Sequence, residues 1–268
     1  MDVTKMPTSP VKPRRRIDLR GVFIDDVDMD GAMAAVRAAL NEAPAVRRLT
    51  RICTPNVEFL NACRHDTKLA ELINSADMTV PDGIGVVVAS RLIGTPLHAQ
   101  VRGIDLGERI AAELASRGGA LYLLGAKPGV AQRAGERLAE KYQGLRIAGA
   151  HDGYFQWDSD GERQIIERIN ASGANALFVC LGFPRQDTWI TAHAAELAPA
   201  VAIGLGGSLD VYSGETQSTP RWMINLRLEW FHRLLKQPWR IGRMIKIPRY
   251  LLGMAIYGRT RKKITNNR

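Results

Sequence analysis

No run in this chain comes near the roughly 18 consecutive apolar residues that a membrane-spanning helix requires. The first twenty residues are polar and proline-rich, with no apolar core of the signal-peptide kind. Together these absences lead us to expect a cytoplasmic protein, and leave attachment to a membrane surface open. Cysteine is scarce: Cys53, Cys63 and Cys180 form no metal-ligand spacing and cannot all pair. Cys53 and Cys180 lie in strand-like runs, which suits buried thiols in a reducing compartment. A Walker A loop is missing. So is the glutamate that would complete a calcium loop starting at Asp26: the twelfth position there is Arg37. Asp26, Asp28 and Asp30 precede the helical face Met33, Val36, Ala39 and Leu40, where carboxylates cap a helix and oppose its dipole. Asp158 and Asp160 stand in the same relation to Ile165, Ile166 and Ile169. No metal is expected.

Acidic residues are nearly absent from the end of the chain. Residues 220–268 hold 13 lysines and arginines against a single acid, and residues 1–20 hold 6 against 2. The body between them is net acidic, although the whole chain carries +10. A basic tail on an acidic body points to an anionic surface or a phosphate-bearing ligand as partner. The 268 residues, 46% of them hydrophobic, suffice for one large domain with an appendage. We expect a disordered basic arm over 1–20, an α/β domain over 21–218 and a helical appendage over 219–268.

Residues 54–85 organise the middle. Leu49–Cys53 reads as a short strand stopped by Pro55, and Met78–Val80 as another stopped by Pro81. Between them Leu60, Cys63, Leu69, Leu72 and Ile73 recur at helical spacing. Two successive strands therefore deliver Thr54, Asn56 and Asp82 to one sheet edge, the carboxyl edge where ligands of open α/β sheets sit. Gly83 and Gly85 keep the backbone beside Asp82 bare. Further strands are read at 22–24, 120–124, 145–150, 176–181 and 200–203, with helices at 84–92, 104–116, 130–142, 161–171 and 188–197. The alternation predicts a parallel sheet with helices on both faces. Gly125-Ala126-Lys127-Pro128-Gly129 joins a strand to a helix start, an arrangement that suits phosphate and equally suits a plain turn. Gly204–Ser208 is a weak dinucleotide signal, without an acidic residue on a following strand.

From Thr219 the pattern changes. Trp222, Met223, Leu226, Trp230, Phe231 and Leu234 share one side of a helix, with basic residues between. Pro238 breaks it, and a second helix is read through Trp239, Met244, Ile247, Leu251 and Leu252. Such a basic, tryptophan- and leucine-bearing pair can lie at a lipid interface or dock on the body as a hairpin.

Several of these stretches together resemble the WecG/TagA/CpsF bacterial glycosyltransferases, glycosyltransferase family 26. They are Thr54-Pro55-Asn56, Ala76-Asp77 through Pro81–Gly85, Arg102–Asp105, Leu124–Gly129, Gly182–Trp189, Gly204–Asp210 and Thr219–Leu234. Their order and spacing, over roughly residues 20–245, carry the resemblance. It implies a Rossmann-like sheet and a basic α-helical C-terminal appendage that holds the protein to the membrane. It also implies a metal-independent, inverting transfer from a UDP-sugar to a polyprenyl-diphosphate-linked sugar, with no cofactor. By the same resemblance Asp82 is the base, and Thr54 and Asn56 hold the sugar. Arg102 lines the acceptor or donor pocket, Gly125 and Lys127 form a nucleotide-side loop, and Gln186 lies near the nucleotide-sugar. Arg233, Arg240 and Arg243 are the appendage arginines. The chain departs from the family at Asp187, where glutamate is common, and at Ser208-Leu209-Asp210.

The expectation is thus a peripheral enzyme of the inner membrane face, working in exopolysaccharide or surface-polysaccharide synthesis, with homo-oligomerisation open. The rival is a nucleic-acid-binding protein using the same basic tail. Its aromatics, however, alternate with aliphatics at helical spacing, which suits burial or lipid better than base stacking. A nucleotide-sugar dehydrogenase is a third reading, resting on the late glycine loop alone.

Overall fold

The computed structural model describes residues 14–43, 48–217, 219–220, 222–223, 226, 231 and 246–266. Its centre is a six-stranded parallel sheet. The strands are β3 (Thr50–Cys53), β4 (Met78–Thr79), β5 (Ala120–Gly125), β6 (Arg146–His151), β7 (Ala176–Cys180) and β8 (Val201–Gly204). They lie side by side in the order β4-β3-β8-β7-β5-β6. β5, β7 and β8 are buried at every residue, because helices cover both faces. Period-two alternation splits each strand between two cores: Leu121, Leu123, Phe178 and Ile203 face one layer, and Tyr122, Leu124, Leu177, Val179 and Ala202 the other.

The first layer is built from α1 (Met29–Asn41), α5 (Gly103–Ser116), α6 (Val130–Lys141) and the short α9 (Ser208–Tyr212). The opposite layer has two parts. One holds α7 (Asp160–Ala171) and α8 (Arg185–Ala192), around Trp189. The other holds α2 (Val57–Cys63), α3 (Thr67–Asn74) and α4 (Ile84–Leu92). The apolar run over 57–76 is two helices rather than one, because the Asp66 carboxylate caps a new start by accepting from the N–H groups of Lys68 and Leu69. Of the aspartates at 26–30, Asp28 caps α1 by accepting from Gly31 N–H at 2.8 Å and Asp30 stands in its first turn, whereas Asp26 holds His98 (Nδ1 at 2.7 Å). Ser159 caps α7, with Asp160 in its first turn.

One terminal segment differs from the sequence expectation, and the other follows one of its open readings. The end of the presumed arm is ordered: β1 (Arg16–Asp18) pairs antiparallel with β2 (Phe23–Asp25). Ile17, Leu19, Val22 and Ile24 of this hairpin are buried. Asp25 accepts from Thr79 N–H at 2.7 Å and is paired with Arg14 and Arg16, so the hairpin covers the edge strand β4. At the other end, α10 (Lys246–Asn266) packs against α2 and α4, burying Tyr250 and Met254. A Cβ on Gly258 would lie 2.2 Å from the carbonyl oxygen of Leu92, so glycine is what lets the two helices approach so closely. Among the described residues no helix is long and apolar enough to cross a membrane.

Candidate active site

Five neighbouring strands end at the same edge of the sheet, and the sequence motifs follow them in a row. Asp82 follows β4, Thr54 and Asn56 follow β3, and the Gly204–Ser208 turn follows β8. Gly182–Asp187 follows β7, and Gly125–Gly129 follows β5. Chain order could not show that β8 inserts between β3 and β7. That insertion brings the late glycine turn next to Thr54.

Asp82 is half-buried. Its backbone N–H donates to Pro55 O at 3.3 Å, and its Oδ1 accepts from Gly103 N–H, the first amide of α5, at 3.1 Å. The carboxylate is thereby aimed along the edge by a strand end on one side and a helix start on the other. Gly83, at φ +88°, makes the turn into α4 that L side chains resist. Gly85 lets α4 begin against α2, since a Cβ there would meet Val57 Cγ2 at 2.4 Å.

Thr54 is buried, and its hydroxyl donates to Gly204 O at 2.7 Å. It ties β3 to the glycine turn, and its methyl packs beneath Gly103. Asn56 caps α2: its Oδ1 accepts from the N–H groups of Glu58 (2.8 Å) and Phe59 (3.3 Å). Any ligand contact by Asn56 therefore falls to its Nδ2 donors. Arg102 precedes α5, 15% exposed, and its Nη1 reaches both carboxylate oxygens of Asp105, at 3.1 and 2.9 Å.

Gly125 ends β5 at φ +131°, with Cys180 O where a Cβ would stand (2.4 Å). Ala126 also takes positive φ, and Gly129 enters α6 in the left-handed region. Among the described residues no side chain caps α6; its first amide, Val130 N–H, closes the turn onto Lys127 O at 3.0 Å, and the Lys127 side chain is exposed beside it. A cavity of about 310 Å³ lies beyond this turn, past β6, lined by His151, Tyr154, Phe155, Gln156 and Arg168 among others. It is at the far end of the row from Asp82.

Gln186 is fully buried, and its Oε1 accepts from Gly206 N–H at 2.8 Å. Asp187, noted in the sequence as a departure from the family's common glutamate, is buried beside it. Burial pushes its carboxyl up to about 6, against the Cys53 thiol and the Gln186 amide, which favour the charged form. Burial likewise raises all three thiols, Cys63 and Cys180 to about 12. Of the tail residues, Met223 is buried while Trp222, Leu226 and Phe231 are exposed. Arg233, Arg240 and Arg243 lie outside the described residues.

Residues 17–264 match the Glycosyl transferase WecG/TagA/CpsF family. The chain belongs to this family. This glycosyltransferase is 37% identical over 202 residues to a Bacillus subtilis (strain 168) protein, covering 75% of this chain and 77% of the relative. It is 35% identical over 212 residues to one from Bacillus spizizenii, covering 79% and 81%. A Staphylococcus aureus (strain MW2) protein is 30% identical over 248 residues, covering 92% and 95%. All three are named N-acetylglucosaminyldiphosphoundecaprenol N-acetyl-beta-D-mannosaminyltransferase.

Proposed function

We propose that this glycosyltransferase moves a sugar from a UDP-sugar to a sugar carried on a polyprenyl diphosphate, inverting the anomeric centre without a metal. The observation that carries the reading is Asp82: a carboxylate fixed between the end of β4 and the start of α5, in line with the glycine turns of β8 and β5. In the transfer, Asp82 takes the proton of the acceptor hydroxyl as its oxygen attacks the anomeric carbon. The bond from that carbon to the UDP oxygen breaks on the opposite face, and its electron pair leaves with UDP.

Four strand spacings separate the ends of β4 and β5, about 19 Å in all. An elongated nucleotide-sugar can span that row and a free monosaccharide cannot. The reacting sugar belongs at the Asp82 end, and the diphosphate and nucleotide belong toward Lys127 and the uncapped start of α6. Developing charge on UDP would be met there and by Arg233, Arg240 and Arg243. The relatives' names make N-acetylmannosamine the first donor sugar to try, and N-acetylglucosaminyl-diphosphoundecaprenol the first acceptor. A lipid-borne acceptor places the enzyme at the inner face of the bacterial membrane, in surface- or exopolysaccharide synthesis. The outward side of α10 suits that location, with Leu252 and Ile256 exposed beside Arg249 and Arg259.

The test is a panel of UDP-sugars with this acceptor in detergent, scored by UDP release. Asp82→Asn is expected to lose at least about 100-fold in kcat, the scale of general-base catalysis, while still binding UDP. Wild-type turnover in this variant would remove Asp82 as the base.

A further inference from the structure

Directly beneath the row of site residues lies a buried polar cluster that the proton transfer at Asp82 does not use. Asp187 stands in the first turn of α8 and Gln186 beside it, both buried. Cys53 is the last residue of β3, and its thiol favours the charged form of the Asp187 carboxyl. Gln186 Oε1 holds Gly206 N–H, and the Thr54 hydroxyl holds Gly204 O. The two side chains of α8 reach this place only because residue 204 is glycine: a Cβ there would lie 2.5 Å from Gln186 Nε2 and 3.2 Å from Asp187 Oδ1. Two atoms of the cluster, Gln186 Nε2 and Asp187 Oδ2, are buried without a hydrogen-bond partner among the described residues. Such orphans are rare in a paired core, and they concentrate where a fold serves a function.

We propose that Asp187 is a positioning residue for the glycosyl transfer: its carboxylate orients the Gln186 amide, and the amide holds the Gly204–Ser208 turn in the shape that receives the UDP-sugar. The inference rests on the donor lying along this edge. An ionised carboxylate attracts the NH₂ end of the adjacent amide and repels its oxygen, which leaves Oε1 facing Gly206 N–H. Protonation of Asp187 removes that bias. The amide can then turn, and the glycine turn loses one of its two clamps.

The geometry makes the arrangement sensitive to pH, because burial sets this carboxyl at about 6. Among the described residues, the titratable groups facing it are the thiols of Cys53 on β3 and Cys63 on α2. The nearby cations have other partners: Arg51 on β3 pairs with Asp77 and reaches Thr191, and Arg185 on α8 lies over the Trp157 ring.

The experiment measures kcat and donor KM from about pH 5 to about pH 8 for the wild type, Asp187→Asn, Cys53→Ala and Cys53→Ser. In the wild type, kcat/KM is expected to fall through about pH 6, mainly by a rise in KM. Asp187→Asn should lack that limb, sitting about tenfold below wild type at high pH and meeting it at low pH, where the wild-type acid is already neutral. Cys53→Ala should shift the midpoint upward, since a donor to the charged form is lost, and Cys53→Ser should restore it. A deficit in Asp187→Asn that is equal at every pH, or a limb that persists in it, overturns the proposal. A second readout needs no substrate: an infrared carboxylic-acid C=O band that grows as pH falls through about 6 and is absent from Asp187→Asn. Its absence from the wild type overturns the proposal too. A folded wild type inactive with every UDP-sugar would instead count against the proposed function, and the infrared band would still decide the state of Asp187.

Discussion

At the scale of residues, the candidate site divides by which backbone each polar side chain holds. Asp82 accepts from the start of α5, whereas Thr54 and Gln186 spend hydrogen bonds on the Gly204–Gly206 backbone. Thr54→Val is expected to cost about 1–3 kcal/mol in urea unfolding, because it leaves Gly204 O buried without its donor. Asp187 leaves a different mark on stability. Its folded-state value of about 6 lies above the ordinary 3.8, so the folded protein holds that proton more tightly than the unfolded chain. Its stabilising contribution is full below the unfolded value and is lost as pH rises through about 6, about 3 kcal/mol in all. Asp187→Asn should lack this slope when unfolding free energies are compared across the same pH range. The buried thiols offer a simpler check: native protein should resist alkylation at mildly alkaline pH, with three thiols reacting on unfolding. Asp82, Thr54 and Gln186 were all visible in the sequence as polar residues at strand ends. Their division of labour was not, because it depends on which backbone atoms lie within 3 Å of each side chain.

At the scale of elements, most of the sheet and its helices were legible, since buried strands and amphipathic helices leave periods of two and 3.6. The misses share one cause. β2 was read as a strand, but β1 was read as the end of an arm because Arg14-Arg15-Arg16 dominates its composition, yet Asp25 pairs with Arg14 and Arg16 and the alternate residues Ile17, Leu19, Val22 and Ile24 are buried. Two short strands acquire a core only from what they are laid against. For α10 the sequence left docking on the body open but drew its apolar face through Ile247, Leu251 and Leu252, whereas Tyr250 and Met254 enter the core around α2 and α4 and Leu252 is exposed. Gly258→Leu should drive α10 off the end of α4 and lower the melting temperature. A variant that melts like wild type would show that this docking adds little. Met254→Ala, with no backbone clash, should cost about 2–5 kcal/mol as a buried truncation.

At the scale of the whole molecule, charge and core run in different directions along the chain. Residues 220–268 hold 13 lysines and arginines against a single acid, yet the last helix of that stretch packs on the body. Deleting 220–268 is therefore expected to expose apolar faces of α2 and α4 as well as remove arginines, and to yield a destabilised body in thermal unfolding. Full-length protein should bind anionic vesicles, with binding that weakens as ionic strength rises, and should bind zwitterionic ones poorly. Salt-insensitive binding would assign the attachment to apolar contact alone.

The sequence by itself determined the fold class and the residues that stand at strand ends, because burial on two faces and a break by proline or glycine are local patterns. The tertiary structure decided which strand ends are neighbours. It set β8 between β3 and β7, brought Gly204 under Gln186 and Asp187, and laid the β1–β2 hairpin and α10 on the same flank. No local pattern encodes those choices, since they follow from which packed arrangement buries the most apolar surface while pairing the polar groups it encloses.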